Sequence, residues 1–246
     1  MELMNKVVII TGAGTGVGRA TAVKLAAKGA KVVINYNQSE KEAHKVVNEI
    51  RQNGGIAIAY KANVANEKEV KELVSQTVQT FGSIDGLVNN ASITAQIAMD
   101  NLDALTDEIW DSLFSVNVKG MFHCIKAVVP YMKKQHSGVI VNMGSVAGMT
   151  GIGSSIPYAA TKSAIHTMTR SLAIALAPSI RVNSISPGAV ETRWWAGNEE
   201  KMYQLAGKLP LQRISTPEDI AEAIVFQLTQ KSITGQVFTI DNGQTL

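Results

Sequence analysis

The sequence predicts an α/β fold in which a doubly wound parallel sheet of about seven strands carries helices on both faces. Short runs rich in Val and Ile alternate with longer segments of helical periodicity along the whole chain. Several of the short runs are almost entirely apolar, which is typical of strands covered on both faces. No linker, low-complexity tract or repeat divides the chain, so one domain spanning residues 1–246 is expected.

The expected elements alternate from the amino-terminal end to the carboxyl-terminal end. The strands are predicted at Val7–Thr11, Lys31–Tyr36, Ile56–Lys61, Gly86–Asn89, Gly138–Met143, Arg181–Ile185 and Val237–Ile240. The helices are predicted at about 16–28, 40–53, 67–81, 107–135, 158–177 and 217–229. Asn66, Thr106 and Thr216 each stand where a side-chain oxygen can cap a helix, and acidic residues follow in the first turn.

Composition and charge narrow the functional classes. A formal net charge of +3 is too small to indicate nucleic-acid binding, and no apolar stretch reaches the length of a membrane span. The four histidines show no paired ligand spacing, so no metal site is expected. Cys124, the single cysteine, lies in an apolar helical stretch and is predicted to be a buried small hydrophobe. No signal peptide is recognisable, and a cytoplasmic protein is the simplest expectation.

A glycine-rich loop joins the first strand to the first helix, reading Gly12-Ala13-Gly14-Thr15-Gly16-Val17-Gly18. Glycines allow a sharp turn and a close approach to a pyrophosphate, and the helix N-terminus presents free N–H groups to the phosphates. The loop therefore predicts a dinucleotide site formed by Gly12, Gly14, Thr15, Gly16 and Val17. The alternative interpretation is a tight turn without a ligand.

The spacing of this loop, with Thr11 in front of it, resembles that of the short-chain dehydrogenase/reductase family. Other motifs of that family follow in the same order: Asn89-Asn90-Ala91, Asn117, Ser145, Tyr158-x-x-x-Lys162 and Pro187-Gly188. The resemblance covers almost the entire chain. It implies a Rossmann-type fold and hydride transfer between a nicotinamide cofactor and a carbonyl or secondary alcohol.

The resemblance also implies further cofactor contacts. They are Asn63 and Val64 near the adenine, Asn89 and Ala91 beside the inner ribose, Tyr158 and Lys162 at the nicotinamide ribose, and Pro187, Gly188, Val190 and Thr192 against the nicotinamide and phosphates. Ser92 stands where relatives usually have glycine, and its effect on the backbone is left open.

The end of the second strand bears on the choice of cofactor. An acid there binds the ribose 2′-hydroxyl of NAD and repels a 2′-phosphate. This chain has neither an acid nor an arginine at that point, but Asn35, Asn37 and Ser39 could form hydrogen bonds to either group. NADP(H) is the favoured cofactor, and NAD(H) stays an alternative.

Tyr158 and Lys162 are spaced i,i+4, so both side chains lie on one helix face. A free tyrosine has a pKa of ~10, and an adjacent ammonium is expected to lower the pKa of Tyr158. Tyr158 could then exchange a proton with the substrate oxygen, while the Ser145 hydroxyl stabilises developing negative charge. By resemblance, Asn117 holds a water that links Lys162 to solvent. Alone, the Tyr-x-x-x-Lys spacing is common on helix surfaces, so the assignment depends on the joint pattern.

The resemblance implies a mobile substrate lid at about 189–215. Trp194 and Trp195 are expected to form an apolar wall for the substrate. The competing interpretation is that one packs under the lid and the other lies at a subunit contact. Ser145 and Ile156 are further candidates for substrate contact.

In its overall sequence pattern the chain resembles the 3-oxoacyl-[acyl-carrier-protein] reductases and the glucose-dehydrogenase-like members of the family. Lys133 and Lys134 could attract an acidic carrier protein, but Ala177-Pro178-Ser179 replaces the second basic contact of that group. The ending from Asp241 to Leu246 also departs from the commoner one. A general NAD(P)(H)-dependent oxidoreductase of carbonyls and alcohols is therefore the main hypothesis, and a 3-oxoacyl reductase is the narrower alternative.

Two other classes are weighed against it: a non-catalytic dinucleotide-binding regulatory protein, and an isomerase, dehydratase or epimerase. The first would be free to lose Ser145, Tyr158 or Lys162, and the second usually has a longer C-terminal substrate domain. Family members are commonly tetramers that pair the long helices predicted near 107–135 and 158–177, and alanine-rich helix faces permit close packing. A homotetramer or homodimer is therefore expected.

Overall fold

A seven-stranded parallel sheet forms the centre of the computed structural model, which describes residues 1–246 apart from the side chain of Lys201. The strands are β1 (Val7–Ile10), β2 (Lys31–Tyr36), β3 (Ile56–Lys61), β4 (Gly86–Asn89), β5 (Gly138–Met143), β6 (Ile180–Pro187) and β7 (Val237–Ile240). Their order is β3-β2-β1-β4-β5-β6-β7, and every neighbouring pair is parallel. The order reverses between β1 and β4, which is where such folds bind ligands.

Helices cover both faces of this sheet. They are α1 (Gly16–Ala27), α2 (Glu40–Gln52), α3 (Glu67–Phe81), α4 (Asp107–Phe114), α5 (Met121–Lys134), α6 (Ala147–Thr150), α7 (Ile156–Leu176), α8 (Glu199–Ala206) and α9 (Pro217–Thr229). The predicted doubly wound α/β fold is confirmed. None of the helices that the structure describes combines the length and the apolar character needed to cross a bilayer.

The core consists of two apolar clusters, one on each face of the sheet. Ile10, Val32 and Ile34 belong to one cluster, whereas Ile9 and Val33 belong to the other. Successive side chains of a strand point to opposite faces, so a strand covered on both sides must be apolar at every position. This explains why the central strands lack the polar alternation of a half-exposed sheet.

Several boundaries differ from the sequence-based expectation. Helix α7 begins at Ile156 rather than Tyr158, because Ser155 caps it by accepting a hydrogen bond from the Tyr158 N–H at 3.4 Å. The helix expected at 107–135 is interrupted by a π-helical turn at Ser115–Gly120. Strand β6 is longer than expected and runs to Pro187. The segment at about 189–215, where the sequence predicts no helix, contains a 3₁₀ turn at Arg193–Trp195 and helix α8.

Two of the three expected helix caps form hydrogen bonds to the helix backbone. Asn66 accepts from the N–H groups of Lys68 and Glu69. Thr216 and Asp219 form a reciprocal capping box at the start of α9. Thr106 precedes α4 without capping it through its side chain, among the residues described. Cys124 is buried, which raises the pKa of its thiol to about 12, so its interpretation as a core residue is confirmed.

Candidate active site

A cavity of about 620 Å³ opens at the carboxyl edge of the sheet, at the reversal between β1 and β4. Its size is typical of small-molecule sites. The loops after the first six strands supply most of its lining, and α7 contributes Tyr158 and Lys162. Because all strands are parallel, their carboxyl ends meet at this one edge, and motifs distant in sequence come together there.

The glycine loop forms one wall of the cavity. Gly12 has a φ of +62°, and a Cβ placed there would lie 3.0 Å from the Cα of Ala91. Gly16 has a φ of +53° and begins α1. The Thr15 side chain makes no capping hydrogen bond within the described chain, which leaves the first N–H groups of α1 to a ligand. This cradle fits the phosphates of a dinucleotide.

Asn90, rather than Asn89, joins the glycine loop to β4. Its side-chain amide donates to the carbonyl oxygens of Thr11 and Gly12, at 2.9 and 3.0 Å. Asn89 instead is buried and donates to Asn142 Oδ1 at 2.9 Å, and the described cavity lining does not include it. The expectation for Asn89 is therefore corrected. Adjacent strand residues face opposite ways, and the motif alone does not say which asparagine faces the cofactor.

Asn35 lines the cavity, and hydrogen bonds hold its side chain in place. Its side chain is buried, accepts from the Gly12 N–H at 3.4 Å and donates to the Ala62 carbonyl at 2.9 Å. These bonds tie the glycine loop to the end of β3, and the expected contact of Asn35 with a ribose stays a prediction. Asn37 is exposed and lines the cavity, together with Gln38 and Ser39.

The expected adenine contacts also line the cavity. The Asn63 side chain accepts a hydrogen bond from the Ala65 N–H at 3.0 Å, and its backbone N–H donates to Glu69 at 2.7 Å. These bonds hold the turn after β3, and Val64 lies beside Asn63 in the cavity wall. The turn is therefore rigid at the point where the resemblance implies an adenine contact.

Ser145, Tyr158 and Lys162 meet on one wall of the cavity. Lys162 is 2% exposed, and its Nζ donates to the Met143 carbonyl at 2.9 Å. The same Nζ lies 5.5 Å from the centroid of the Tyr158 ring. Gly144 and then Ser145 follow the end of β5 at Met143. The carbonyl that accepts from Lys162 and the Ser145 hydroxyl therefore lie at the same strand end.

Burial dominates the ionisation of this pair. It raises the pKa of Tyr158 to about 12, and the neighbouring Ser145 hydroxyl acts in the opposite direction. Burial also lowers the pKa of Lys162 to about 7. The net shift of the Tyr158 pKa is therefore upward, opposite to the lowering expected from an adjacent ammonium. The physical reason is that desolvation disfavours the charged form of both groups.

Asn117 lies in the π-helical turn between α4 and α5 and is buried. Its Oδ1 accepts from the Ser92 hydroxyl at 3.0 Å and from the Ile93 N–H at 2.9 Å. Its Nδ2 donates to the Ile93 carbonyl and to Thr161 Oγ1, whose hydroxyl donates to the Tyr158 carbonyl. Ser92 thus replaces the family's usual glycine with a donor to Asn117. The Asn117 side chain is therefore bonded to residues of the cavity wall from behind and is not among the described lining residues.

His166 is a buried polar residue that the sequence interpretation did not identify. It lies one helical turn beyond Lys162, and its Nε2 is 2.6 Å from the Ser186 hydroxyl. A Cβ at Gly144 would lie 2.4 Å from this nitrogen. Burial, with Lys162 and Arg170 nearby, lowers the pKa of His166 to about 4. The i,i+4 spacing after the lysine was the only sequence signal for it.

The turn after β6 forms the opposite wall. Pro187, Gly188, Val190 and Thr192 all line the cavity. Val190 forms an isolated bridge with Ser215, and a Cβ at Gly16 would lie 3.4 Å from Thr192 Cγ2. The segment that follows β6 therefore begins directly against the N-terminus of α1.

Both adjacent tryptophans line the substrate side of the cavity. The Trp194 ring centroid lies 5.7 Å from that of Tyr158, with an interplanar angle of 55°. Ile156 is absent from the lining of this cavity as the structure describes it, and Ile152 lines it instead. Ile156 occupies the first turn of α7, whereas Ile152 lies in the preceding loop. Trp194 and Trp195 thus lie where an apolar wall of the cavity was expected, and their contact with a substrate stays a prediction.

Comparison with known proteins decides the family. The family model for short chain dehydrogenases matches residues 6–202. The chain belongs to the short-chain dehydrogenase family. A putative short-chain dehydrogenase/reductase from Burkholderia xenovorans has a similar structure, with a TM-score of 0.92 and 33% identity over 97% of each chain. As a member of this family, the protein is a nicotinamide-dependent oxidoreductase.

Two relatives illustrate the range of names within this dehydrogenase family. A 3-oxoacyl-[acyl-carrier-protein] reductase of Synechocystis is 42% identical, over 99% of this chain and 98% of its own length. The short-chain dehydrogenase/reductase homolog YusR of Bacillus subtilis is 60% identical over 129 residues, which are 52% of this chain and all of YusR.

Proposed function

We propose that this dehydrogenase interconverts ketones and secondary alcohols with NADP(H), and that Tyr158 is its general acid and base. The observation that carries the proposal is the meeting of Ser145, Tyr158 and Lys162 with the glycine loop in one cavity. A non-catalytic dinucleotide-binding protein would have no need to keep these three side chains together. The balanced reaction is a ketone, NADPH and a proton giving a secondary alcohol and NADP⁺.

The residues of the chain divide the chemistry between them. When bound, the nicotinamide cofactor supplies or accepts the hydride. Tyr158 donates its hydroxyl proton to the carbonyl oxygen during reduction and takes a proton from the alcohol during oxidation. Ser145 donates a hydrogen bond to the same oxygen and stabilises its developing charge. Lys162 stands 5.5 Å from the Tyr158 ring, and in its protonated form it favours the phenolate.

The ribose end of the cavity supports the preference for NADP(H). Asn37, Gln38 and Ser39 line it, and α2 begins directly after them. The Ser39 hydroxyl does not cap this helix within the described residues, so it and the first N–H groups of α2 are free to meet a phosphate. No Asp or Glu lines the described part of this cavity to repel one. NAD(H) stays the alternative, since no arginine stands at this end.

A panel of ketones and alcohols assayed with both cofactors tests the proposal. We expect ketone reduction with NADPH and a lower kcat/KM with NADH. Cofactor binding without turnover of any compound would instead favour a regulatory protein. Redox-neutral conversion of a substrate would favour an isomerase or dehydratase. A clear preference for NADH would contradict the cofactor assignment while leaving the reaction class intact.

A 3-oxoacyl-[acyl-carrier-protein] reductase is the second candidate, favoured by the name of the Synechocystis relative. Lys133 and Lys134 are exposed at the end of α5, where an acidic carrier could bind. The loop Ala177-Pro178-Ser179 supplies no second cation. Comparing a 3-oxoacyl thioester on the carrier protein with the same acyl group on a short thiol tests this candidate. A strong preference for the carrier form would support it.

The proposal extends to the oligomeric state, the substrate lid and the cellular location of the protein. We propose one domain over residues 1–246, a substrate lid at about 189–215 and a homotetramer or homodimer in the cytoplasm. Phe122 on α5 and Ile174 on α7 are 43% and 82% exposed, and both helices belong to the expected subunit contact. Light scattering at several protein concentrations measures the assembly, and a monomer would contradict it.

A further inference from the structure

Large apolar side chains remain exposed around the substrate side of the cavity. Ile93, Ile152 and Trp194 are 38%, 72% and 38% exposed, and all three line the same cavity as Tyr158. Trp195 and Leu205 are half-buried beside them. Apolar side chains that stay exposed together usually mark a binding surface. The five residues come from three separate loops and α8, and they face one opening.

The charges at this opening favour an uncharged ligand. Among the residues that the structure describes, the charged side chains lining the cavity are Lys162 and Arg193. Lys162 is buried and donates to the Met143 carbonyl. Arg193 is exposed, so water and salt screen its attraction for an anion. An anion in contact with the apolar walls would lose hydration, and the exposed Arg193 would compensate only part of that loss.

Trp194 adds a requirement of shape. Its indole lies 5.7 Å from the Tyr158 ring, centroid to centroid. Because both rings line one cavity, a ketone whose oxygen reaches the Tyr158 hydroxyl can place an adjoining group against this indole. Flat apolar rings bury the most area against an indole and add favourable ring contacts. A small alkyl group leaves most of the same surface exposed to water.

We propose that the site takes uncharged ketones with a flat apolar ring close to the carbonyl, and that Trp194 selects them. This inference rests on the proposed function, because it names the substrate class of the same site. The ketone carbon receives the hydride, its oxygen receives the Tyr158 proton, and the product is the ring-bearing secondary alcohol.

Three ketones test the effects of a ring, a charge and size. They are 1-phenylpropan-2-one, which has an uncharged ring, phenylpyruvate, which has a ring and a carboxylate, and butan-2-one, which is small and has neither. We expect kcat/KM to be at least about tenfold higher for 1-phenylpropan-2-one than for either of the others. Trp194→Ala should lower the ratio of kcat/KM between 1-phenylpropan-2-one and butan-2-one by about tenfold. Trp194→Phe keeps a flat ring and should preserve most of that ratio. A preference for phenylpyruvate, or equal rates for all three ketones, would overturn the inference.

A binding measurement keeps this inference separate from the reaction. The affinity of the Tyr158→Phe protein for 1-phenylpropan-2-one is measured by calorimetry, with and without the additional change Trp194→Ala. We expect the added change to weaken binding by about tenfold. The proposed function is overturned if no ketone is reduced with either cofactor. The substrate inference is overturned if the binding of 1-phenylpropan-2-one does not depend on Trp194.

Discussion

At the scale of single residues, burial sets the proton chemistry of the cavity. Tyr158 and Lys162 are both pushed toward their neutral forms, with pKa values of about 12 and about 7. His166, one turn further along α7, is pushed the same way to about 4. Near pH 7, Tyr158 and His166 are therefore neutral, whereas Lys162 lies close to the midpoint of its titration.

Replacing Tyr158 by Phe tests the proton transfer itself. The change removes one hydroxyl and keeps the ring that packs against Trp194, so cofactor affinity should change by no more than a few-fold. Loss of a general acid usually lowers turnover by ~10²–10⁴-fold. Steady-state kinetics together with a cofactor titration measure both effects. Turnover comparable to that of the unchanged protein would rule out Tyr158 as the proton donor.

Replacing Lys162 by Met tests the effect of burial on its pKa. Burial lowers the folded-state pKa from 10.5 to about 7, so the unfolded chain binds more protons between these two pH values. The free energy of unfolding contributed by this group then rises with pH across that window, by up to about 1.4 kcal/mol per pH unit. Below pH ~7 the contribution is constant at its least favourable value.

Urea unfolding of the cofactor-free protein at several pH values from 6 to 10.5 measures this contribution. The unchanged protein should gain stability relative to Lys162→Met as the pH rises through the window. Parallel stability curves for the two proteins would mean that Lys162 keeps its ordinary pKa in the folded state.

At the scale of elements, the N-termini of the helices divide into those that a side chain caps and those that it leaves uncapped. Asn66 caps α3 with hydrogen bonds to the N–H groups of Lys68 and Glu69, at 3.1 and 3.4 Å. Thr15 and Ser39 precede α1 and α2 without side-chain caps in the described residues, and both line the cavity. The two helices beside the glycine loop thus present uncapped N–H groups to the cavity.

A pair of substitutions tests this division. Asn66→Ala should lower the free energy of unfolding by about 1 kcal/mol, because it removes a cap. Ser39→Ala should change it by less than about 0.5 kcal/mol in the cofactor-free protein, because no cap is lost. Denaturant midpoints measure both changes. Equal losses from the two substitutions would show that Ser39 does cap α2.

At the scale of the whole molecule, the two edges of the sheet serve different purposes. The carboxyl edge holds the cavity, and the amino edge is tied together by Asp85. This largely buried carboxylate accepts from Lys6 Nζ at 2.9 Å, from the Val7 N–H at 2.9 Å and from the Ser83 hydroxyl at 3.2 Å. It thereby joins the starts of β1 and β4, the pair that flanks the reversal in strand order.

Asp85→Asn should destabilise the protein without changing its reaction. Hydrogen bonds to a charged group contribute about 1.5–3 kcal/mol, so we expect a loss of roughly 1–3 kcal/mol in the free energy of unfolding. Lys6→Met is the matched control, since the lysine side chain is 39% exposed and should cost less than about 1 kcal/mol. Urea unfolding measures both, and kcat at low denaturant should stay unchanged. A large loss of kcat in a folded Asp85→Asn protein would contradict the separation of the two edges.

The sequence by itself determined the parallel α/β fold, the family and the motifs that meet at the cavity. Apolar runs encode strands covered on both faces, and the glycine loop and the Tyr158–Lys162 spacing are local patterns that need no tertiary context. Asn66 and Thr216 could be recognised as caps for the same reason, because their hydrogen bonds span only three residues.

Only the tertiary structure decided which way the individual side chains face. It turned Asn89 away from the cavity, placed Ile152 rather than Ile156 in the cavity lining, and brought Ser92 to Asn117 across 25 positions. It also placed His166 against Ser186 and Trp194 against Tyr158. These outcomes depend on how strands and helices pack, and burial in that packing reversed the expected pKa shift of Tyr158. Sequence spacing records neighbours along one element, whereas contact and desolvation arise between elements.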